Sequence, residues 1–389
     1  MIGALLNSQI LSVFVLVITL SLGSYSNAQQ TSNKDSISQK SSQWNPEEHD
    51  VPAGDKILEL PEGSPKAALS PGGAKEQALE DFIKEQKVAG FLVLQDGKIR
   101  MERYALGHSD TKFWSSLSVA KSVTSTLVGV AIKDGYINSV DDDVTDYLPE
   151  LKGSAFDSVK IRHLLTMTSG VKWNENYSDP NSDIAGFDQY TNEDDMKAIV
   201  SYMRRLPAEA EPGEKYNYST GETHLLGALI SAATDQSLSQ YLSSKIWIPY
   251  GMEHTAIWRL DRTGQEMAGC CLQMRLRDFG RFGQFVLEDG IIDGESIVPD
   301  DWFKIATQIQ VPLWPGGGYG YGWWIFNDHS FEALGIHGQM IYIDPPRKLV
   351  IAINSAWPEA DSNERHFAVA NFIRSITDEI DKELKTRED

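Results

Sequence analysis

Apolar and polar positions divide this chain into stretches of different character. Ile10 to Leu22, "ILSVFVLVITLSL", is an unbroken apolar run, and Ser26-Asn27-Ala28 behind it are the small residues of a leader-cleavage site. Residues 1–28 therefore read as a signal peptide, which implies a periplasmic or secreted protein of bacterial type. No Lys or Arg precedes the run, so an uncleaved N-terminal anchor is the alternative. Residues 29–60 are polar and rich in Ser and Gln, which predicts a flexible linker, with one folded domain over 61–389.

Within that domain, "AKEQALEDFIKEQKVAG" has helical periodicity and is expected to stop at Gly90. "FLVLQDGKIRMERYAL" contains two strand-like runs around Asp96-Gly97, a hairpin signal. From Ser118 to about residue 300 the pattern is mainly helical. Strand patterns return in "GYGWWIFN" and in "MIYIDPPRKLVIAIN", which turns at Pro345-Pro346, and "NERHFAVANFIRSITDEIDKEL" closes the chain as an amphipathic helix. Strands at both ends with helices between them predict an α+β fold: an antiparallel sheet flanked by the terminal helices, with an inserted, mainly α-helical domain. The sheet part is expected over about 61–115 and 300–389, the helical part over about 116–299, and a cleft where they meet.

The charge changes the picture by exclusion. With 55 acidic against 35 basic residues the chain carries a formal charge of -20 and has no basic cluster to follow a phosphate backbone, so nucleic acid is not an expected partner. Beyond the N-terminal run, no stretch is apolar for long enough to span a bilayer. The two cysteines, Cys270 and Cys271, are adjacent, a spacing that rarely suits a disulfide, and read as small core-filling residues. There is no His-Glu-x-x-His, no P-loop and no dinucleotide-binding glycine pattern, and Asp141 to Asp143 lack the spacing of a calcium loop and read as helix-capping carboxylates. No cofactor is expected.

The candidate chemistry lies in "FWSSLSVAKSVTSTLVGVAIKDGYI" (Phe113 to Ile137), where Lys121 is the only charged residue between Val119 and Ile132. The segment predicts a buried helix whose start holds Ser118. At helical spacing, Lys121 returns its amine to the Ser118 hydroxyl. Burial lowers an amine's pKa from its usual value of about 10.4, which makes it a usable base, and the helix start offers N–H groups to an oxyanion.

Ser-Val-Ala-Lys is followed by "GYINSVDDDVTDYLPEL", "VKIRHLLTMTSGVKW", "PGEKYNYSTGETHLLGALI" and "LGIHGQMIYIDPPRKLVIAI". As an ordered set, these resemble the serine β-lactamase-related hydrolases, the superfamily of class C β-lactamases, penicillin-binding DD-peptidases, family VIII esterases and 6-aminohexanoate-dimer hydrolase. The resemblance is greatest to the last of these and its esterase-like relatives. It implies Ser118 as nucleophile, Lys121 and Tyr218 as its proton-transfer partners, and backbone N–H groups of Ser118 and Gln339 as the oxyanion hole. It places substrate contacts at Tyr177, Thr220, Ile336, His337 and Gly338. Two departures from class C are visible: Thr220 stands where Tyr-x-Asn enzymes have an amide, and Ile336 where they have a lysine. His337 reads as a cleft-lining or hydrogen-bonding residue rather than a triad base. The expected activity is an exported serine hydrolase cleaving small esters or linear amides through an acyl-enzyme. The alternatives are a β-lactamase or DD-peptidase acting on cell-wall-type substrates, and a catalytically silent binding protein.

Overall fold

The computed structural model describes residues 47–63, 74–191, 195–326 and 328–388, so the expected signal peptide and most of the expected linker lie outside the described residues. The chain enters through β1 (Glu48–Val51) and α1 (Ala74–Glu85), forms the hairpin β2 (Val88–Gln95) and β3 (Lys98–Tyr104), and reaches β4 (Trp114–Ser115). Helices follow: α2 (Val119–Lys133), α3 (Val144–Tyr147), α4 (Ile161–Leu165), α5 (Asp183–Gln189), α6 (Ala198–Met203), α7 (Thr220–Thr234), α8 (Leu238–Leu242) and α9 (Ile248–Tyr250). Then come β5 (Ala256–Arg259), β6 (Leu272–Met274), α10 (Leu276–Leu287), the short hairpin β7 (Ile291–Ile292) and β8 (Glu295–Ser296), and α11 (Trp302–Ala306). The last strands are β9 (Val311–Trp314), β10 (Gly317–Tyr319), β11 (Trp324–Ile325), β12 (Phe331–Gly335), β13 (Gln339–Asp344) and β14 (Leu349–Ser355), and α12 (Asn363–Glu388) follows them.

Strands from both ends of the sequence build one eight-stranded antiparallel sheet, in the order β3-β2-β14-β13-β12-β11-β10-β9. Both hairpin signals are realised. Asp96 and Gly97 take the two positive φ values, 51° and 69°, that a tight two-residue turn requires. At Pro345 the Asp344 carboxylate accepts the Arg347 N–H and closes the β13–β14 turn.

Strand β2 shows why its sequence is apolar without alternation: both faces are covered. Phe91 and Val93 face α1 and α12, packing with Leu79, Phe82, Val369 and Ile373. Leu92 and Leu94 face the larger core on the other side. That second face is covered by α10, where a Cβ on Gly280 would lie 2.5 Å from Leu92 and one on Gly283 2.5 Å from Val350. Helix α10 thus belongs to the sheet layer, although it falls within the stretch 116–299 assigned to the helical part.

Other boundaries also differ from expectation. Glu48–Val51 pairs with β5, and together with β6 and β4 forms a second sheet, so the linker does not extend to residue 60. The first helix ends at Glu85, before the left-handed Lys87 (φ 49°), and Gly90 lies inside β2. Asp143 precedes α3 without a side-chain cap and pairs with Lys160, while the Asp142 carboxylate accepts from Tyr147 and from the Asn138 and Ser139 backbone. Those carboxylates hold a loop rather than cap a helix.

Candidate active site

Strand β4 delivers the chain to α2 through a constrained turn. Ser116 N–H donates to the Leu272 carbonyl at 2.8 Å, and Leu117 is left-handed at φ 43°, a conformation that costs a branched residue on the order of 1–3 kcal/mol. Ser118 follows at the head of α2, 7% exposed, with Lys121 one turn on and 2% exposed. The small polar residues of α2 account for its unusual composition. Thr124 donates to the Ala268 carbonyl (2.8 Å), Ser122 to that of Gly322 and Ser125 to that of Tyr321 (both 2.6 Å), which ties the helix to two loops beside the site.

Lys121 Nζ lies 2.9 Å from each of three oxygens: Ser118 Oγ, Thr220 Oγ1 and the Gly269 carbonyl. As an ammonium it donates to all three. Burial lowers its pKa to about 8, against the opposing charge of Glu175, so the neutral amine is accessible. In that state its hydrogens have only two places to go. The Gly269 carbonyl can only accept, and Thr220 Oγ1 donates its own hydrogen to the Glu175 carboxylate, so it too accepts from the lysine. The remaining direction, the lone pair, points to Ser118.

Tyr218 stands just before α7, where the Ser219 hydroxyl caps the helix by accepting from Glu222 N–H at 3.1 Å. Lys121 Nζ sits 4.9 Å from the centre of the Tyr218 ring. The ring stacks on Trp324, which stacks in turn on Trp314, with centroid separations of 6.0 and 6.2 Å. Burial, and then the Glu175 charge, hold the phenol pKa above its ordinary value, with an opposing contribution from its hydrogen bond with Ser118. Tyr218 is therefore a phenol, and Lys121 the group that gives up its proton nearer neutrality.

The third expected segment closes the site from the sheet. Residues 336–338 form a short turn between β12 and β13, in which His337 is left-handed at φ 61°. Gly335, which ends β12, approaches the helix start most closely: a Cβ there would lie 2.7 Å from Ser116 O and 3.1 Å from Ser118 N.

Residues 76–372 match the family described as Beta-lactamase. The chain belongs to that family. It is 26% identical over 320 residues to the 6-aminohexanoate-dimer hydrolase of Paenarthrobacter ureafaciens, spanning 78% of this chain and 81% of that protein. A solved structure from Bacillus anthracis, provisionally named 6-aminohexanoate-dimer hydrolase, superposes with a TM-score of 0.74 at 27% identity and covers 87% of this chain and 92% of that one. A family VIII carboxylesterase shares the fold, with a TM-score of 0.63 at 16% identity over 82% of this chain and 99% of that one. The β-lactamase-like fold follows, and the relative matched by sequence is named as a hydrolase.

Within this beta-lactamase family member, the structure brings Ser118, Lys121, Tyr218 and Thr220 together and distributes the other expected residues around them. Thr220 serves Lys121 and Glu175 directly. Tyr177, 40% exposed, donates to Glu175 Oε1 at 2.5 Å, so its ring lies at the rim of the same network. The His337 ring bonds the Trp357 carbonyl through Nδ1 at 2.8 Å, which makes it the hydrogen-bonding residue expected rather than a partner of the serine. Gly338 packs its backbone on Trp357, and Ile336 brings an apolar side chain to the same turn. The Gln339 side chain is buried, accepting from Trp114 and Ser355 N–H and donating to the Ile336 and Ser355 carbonyls.

Three contributors carry no mark in the sequence. Glu175 binds Thr220 through both N–H and hydroxyl and also accepts from Trp173, which anchors the polar loop 172–182 to the site. Gly269 supplies a carbonyl, and His224 supports it. None of these has a spacing signature; each is found only once α2, α7 and the turn before β6 converge. The turn holds one correction as well: Cys270 and Cys271 form a disulfide. Cys271 is left-handed at φ 68°, a local conformation that sequence spacing does not reveal.

Proposed function

We propose that this protein is a serine hydrolase that cleaves small esters or linear amides through an acyl-enzyme on Ser118. The observation that carries the reading is the disposition of Lys121: two acceptors fix its hydrogens and its lone pair is left facing the Ser118 hydroxyl 2.9 Å away. Ser118 passes its proton to Lys121 as Oγ attacks the carbonyl carbon. Negative charge then develops on the carbonyl oxygen beside Ser118 N–H, with a second donor from the segment Gly335 to Gln339. The Gln339 N–H is the expected second donor: Gln339 pairs with Gly335 across the turn, and a Cβ on Gly335 would lie 3.0 Å from Gln339 Cβ and 3.1 Å from Ser118 N. Tyr218 gives its phenolic proton to the leaving oxygen or nitrogen, and the Lys121 ammonium restores it. Water then repeats the cycle on the acyl-enzyme, with Lys121 taking a proton from water and Tyr218 returning one to Ser118 Oγ.

The choice of ester or linear amide over β-lactam rests on charge. A β-lactam carries a carboxylate, and Ile336 offers no cation to it in a chain of net charge -20. A missing charge-assisted hydrogen bond costs about 1.5–3 kcal/mol, a factor of about ten to more than a hundred in binding. The leader expected over residues 1–28 extends the proposal to a site of action in the periplasm or outside the cell. The test is labelling of Ser118 with a fluorophosphonate, followed by kcat/KM for p-nitrophenyl butyrate and nitrocefin on one preparation. Labelling that disappears in Ser118→Ala, with the ester preferred, supports the reading. Nitrocefin turned over as well as the ester, or better, would replace it with a β-lactamase.

A further inference from the structure

His224 is enclosed at 2% exposure, on α7 one helical turn beyond Thr220, and so shares the face that Thr220 presents to Lys121. Its Nδ1 lies 2.8 Å from Gly269 N, and because a peptide N–H can only donate, Nδ1 must accept. The ring is therefore neutral with its proton on Nε2. Burial, reinforced by the charge of Lys121, keeps it so by lowering its pKa to about 3. The other end of the Gly269 residue is the carbonyl that accepts from Lys121 Nζ.

We propose that His224 is a positioning residue for Lys121, acting through Gly269: it grips the N–H and so aims the carbonyl that fixes one hydrogen of the amine. This rests on the reading of Lys121 as the base for Ser118. Two further observations support it. A Cβ on Gly269 would lie 3.0 Å from Thr220 Cγ2 and 3.3 Å from His224 Nδ1, so the backbone is clamped between these two residues of α7. And the Nε2–H of His224 is buried with no hydrogen-bond partner among the described residues, its ring tilted against Phe187 at 5.5 Å. An apolar side chain would fill that space without stranding a polar group, so what the imidazole adds is the acceptor at Nδ1.

The ionisable groups around Lys121 are Glu175, whose charge raises its pKa, Tyr218, a phenol below alkaline pH, and the neutral His224. Removing the aimed carbonyl takes away an acceptor that favours the ammonium, so the Lys121 pKa must fall. The test compares His224→Leu, which loses the acceptor, with His224→Asn, whose Oδ1 restores one near the Nδ1 position. Readouts are steady-state kinetics on p-nitrophenyl butyrate, the pH dependence of kcat/KM, thermal unfolding, and titration of Lys121 by NMR of the lysine ε-carbon. His224→Leu is expected to lower kcat by about ten- to a hundredfold with KM within about twofold, and to shift the Lys121 titration and the acid limb to lower pH. His224→Asn should recover most of both. A Lys121 titration unmoved in His224→Leu, or activity lost equally in both variants in step with thermal stability, would overturn the proposal. If wild-type protein neither labels nor turns over ester while the Lys121 titration still moves in His224→Leu, the hydrolase reading fails and the positioning role stands.

Discussion

Thr220 Oγ1 lies 2.9 Å from Lys121 Nζ and passes the lysine on to the Glu175 carboxylate. A residue expected to touch substrate thus holds the proposed base in place. Thr220→Val keeps the shape and removes the hydroxyl, leaving one amine hydrogen unfixed and part of the Glu175 carboxylate unpaired. A buried hydrogen-bonding group stranded in this way costs about 1–3 kcal/mol, so kcat on p-nitrophenyl butyrate is expected to fall about ten- to a hundredfold. Thr220→Ser should stay within a few-fold of wild type, and equal losses in the two variants would place the threonine's value in its methyl group.

Tyr218, not Tyr216, is the expected proton donor to the leaving group. The Tyr218 ring lies under Lys121, whereas the Tyr216 hydroxyl is buried without a hydrogen-bond partner among the described residues and its ring packs edge-on against Tyr319. Tyr218→Phe keeps the stack on Trp324 and removes only the phenol, which should lower kcat by about 10²- to 10⁴-fold. Tyr216→Phe should leave kcat near wild type and preserve or raise the melting temperature, since it deletes an unsatisfied buried group. Stopped-flow and steady-state rates on an ester and an anilide separate the two; reversed effects would move the donor by two positions.

What the sequence disclosed and what it hid divide along physical lines. Asp96-Gly97, Pro345-Pro346 and the apolar helix with its single interior lysine behind Ser118 are local signals, and the hairpins and α2 appear where those signals put them. The Ser118–Lys121 pair was visible because it lies within one helical turn. Glu175, His224 and Gly269 come to Lys121 from distant parts of the chain, and a lone acid in a polar loop or a lone histidine in an apolar helix carries no local mark of that destination. The role of α10 was hidden for a related reason. Its glycines gave no hint that Leu92 and Val350 would press against its backbone.

Gly335 makes a prediction about the wall opposite the serine. A methyl group there would meet the Ser116 carbonyl, which is backbone and cannot swing aside, at 2.7 Å. In Gly335→Ala, β12 must therefore draw back from the head of α2 and carry the proposed second oxyanion donor away from Ser118 N–H. The loss of one such donor is worth about 10²- to 10³-fold in kcat. Eight antiparallel strands hold the sheet elsewhere, so the melting temperature should fall by only a few degrees. Unchanged kcat in a folded Gly335→Ala protein would remove this segment from the oxyanion site.

Lys121 sets the expected pH dependence of both activity and stability. As a base it works only when neutral, so kcat/KM for p-nitrophenyl butyrate should rise with pH through an acid limb near its lowered pKa of about 8. Glu175→Gln removes the charge that holds this value up, and should shift the limb to lower pH. For stability the sign follows from proton uptake. The unfolded lysine titrates near its ordinary value of 10.5 and the folded one near 8, so between these pH values the unfolded chain binds more protons and stability rises with pH. Below about pH 8 both forms are charged, and the folded state bears the full cost of burying the ammonium. Against Lys121→Met, which does not titrate, the wild-type protein should therefore gain in relative stability from about pH 8 to 10.5, as measured by urea denaturation at each pH. A stability difference that stays flat across that window would mean that Lys121 keeps an ordinary pKa, and that Ser118 is activated by another group.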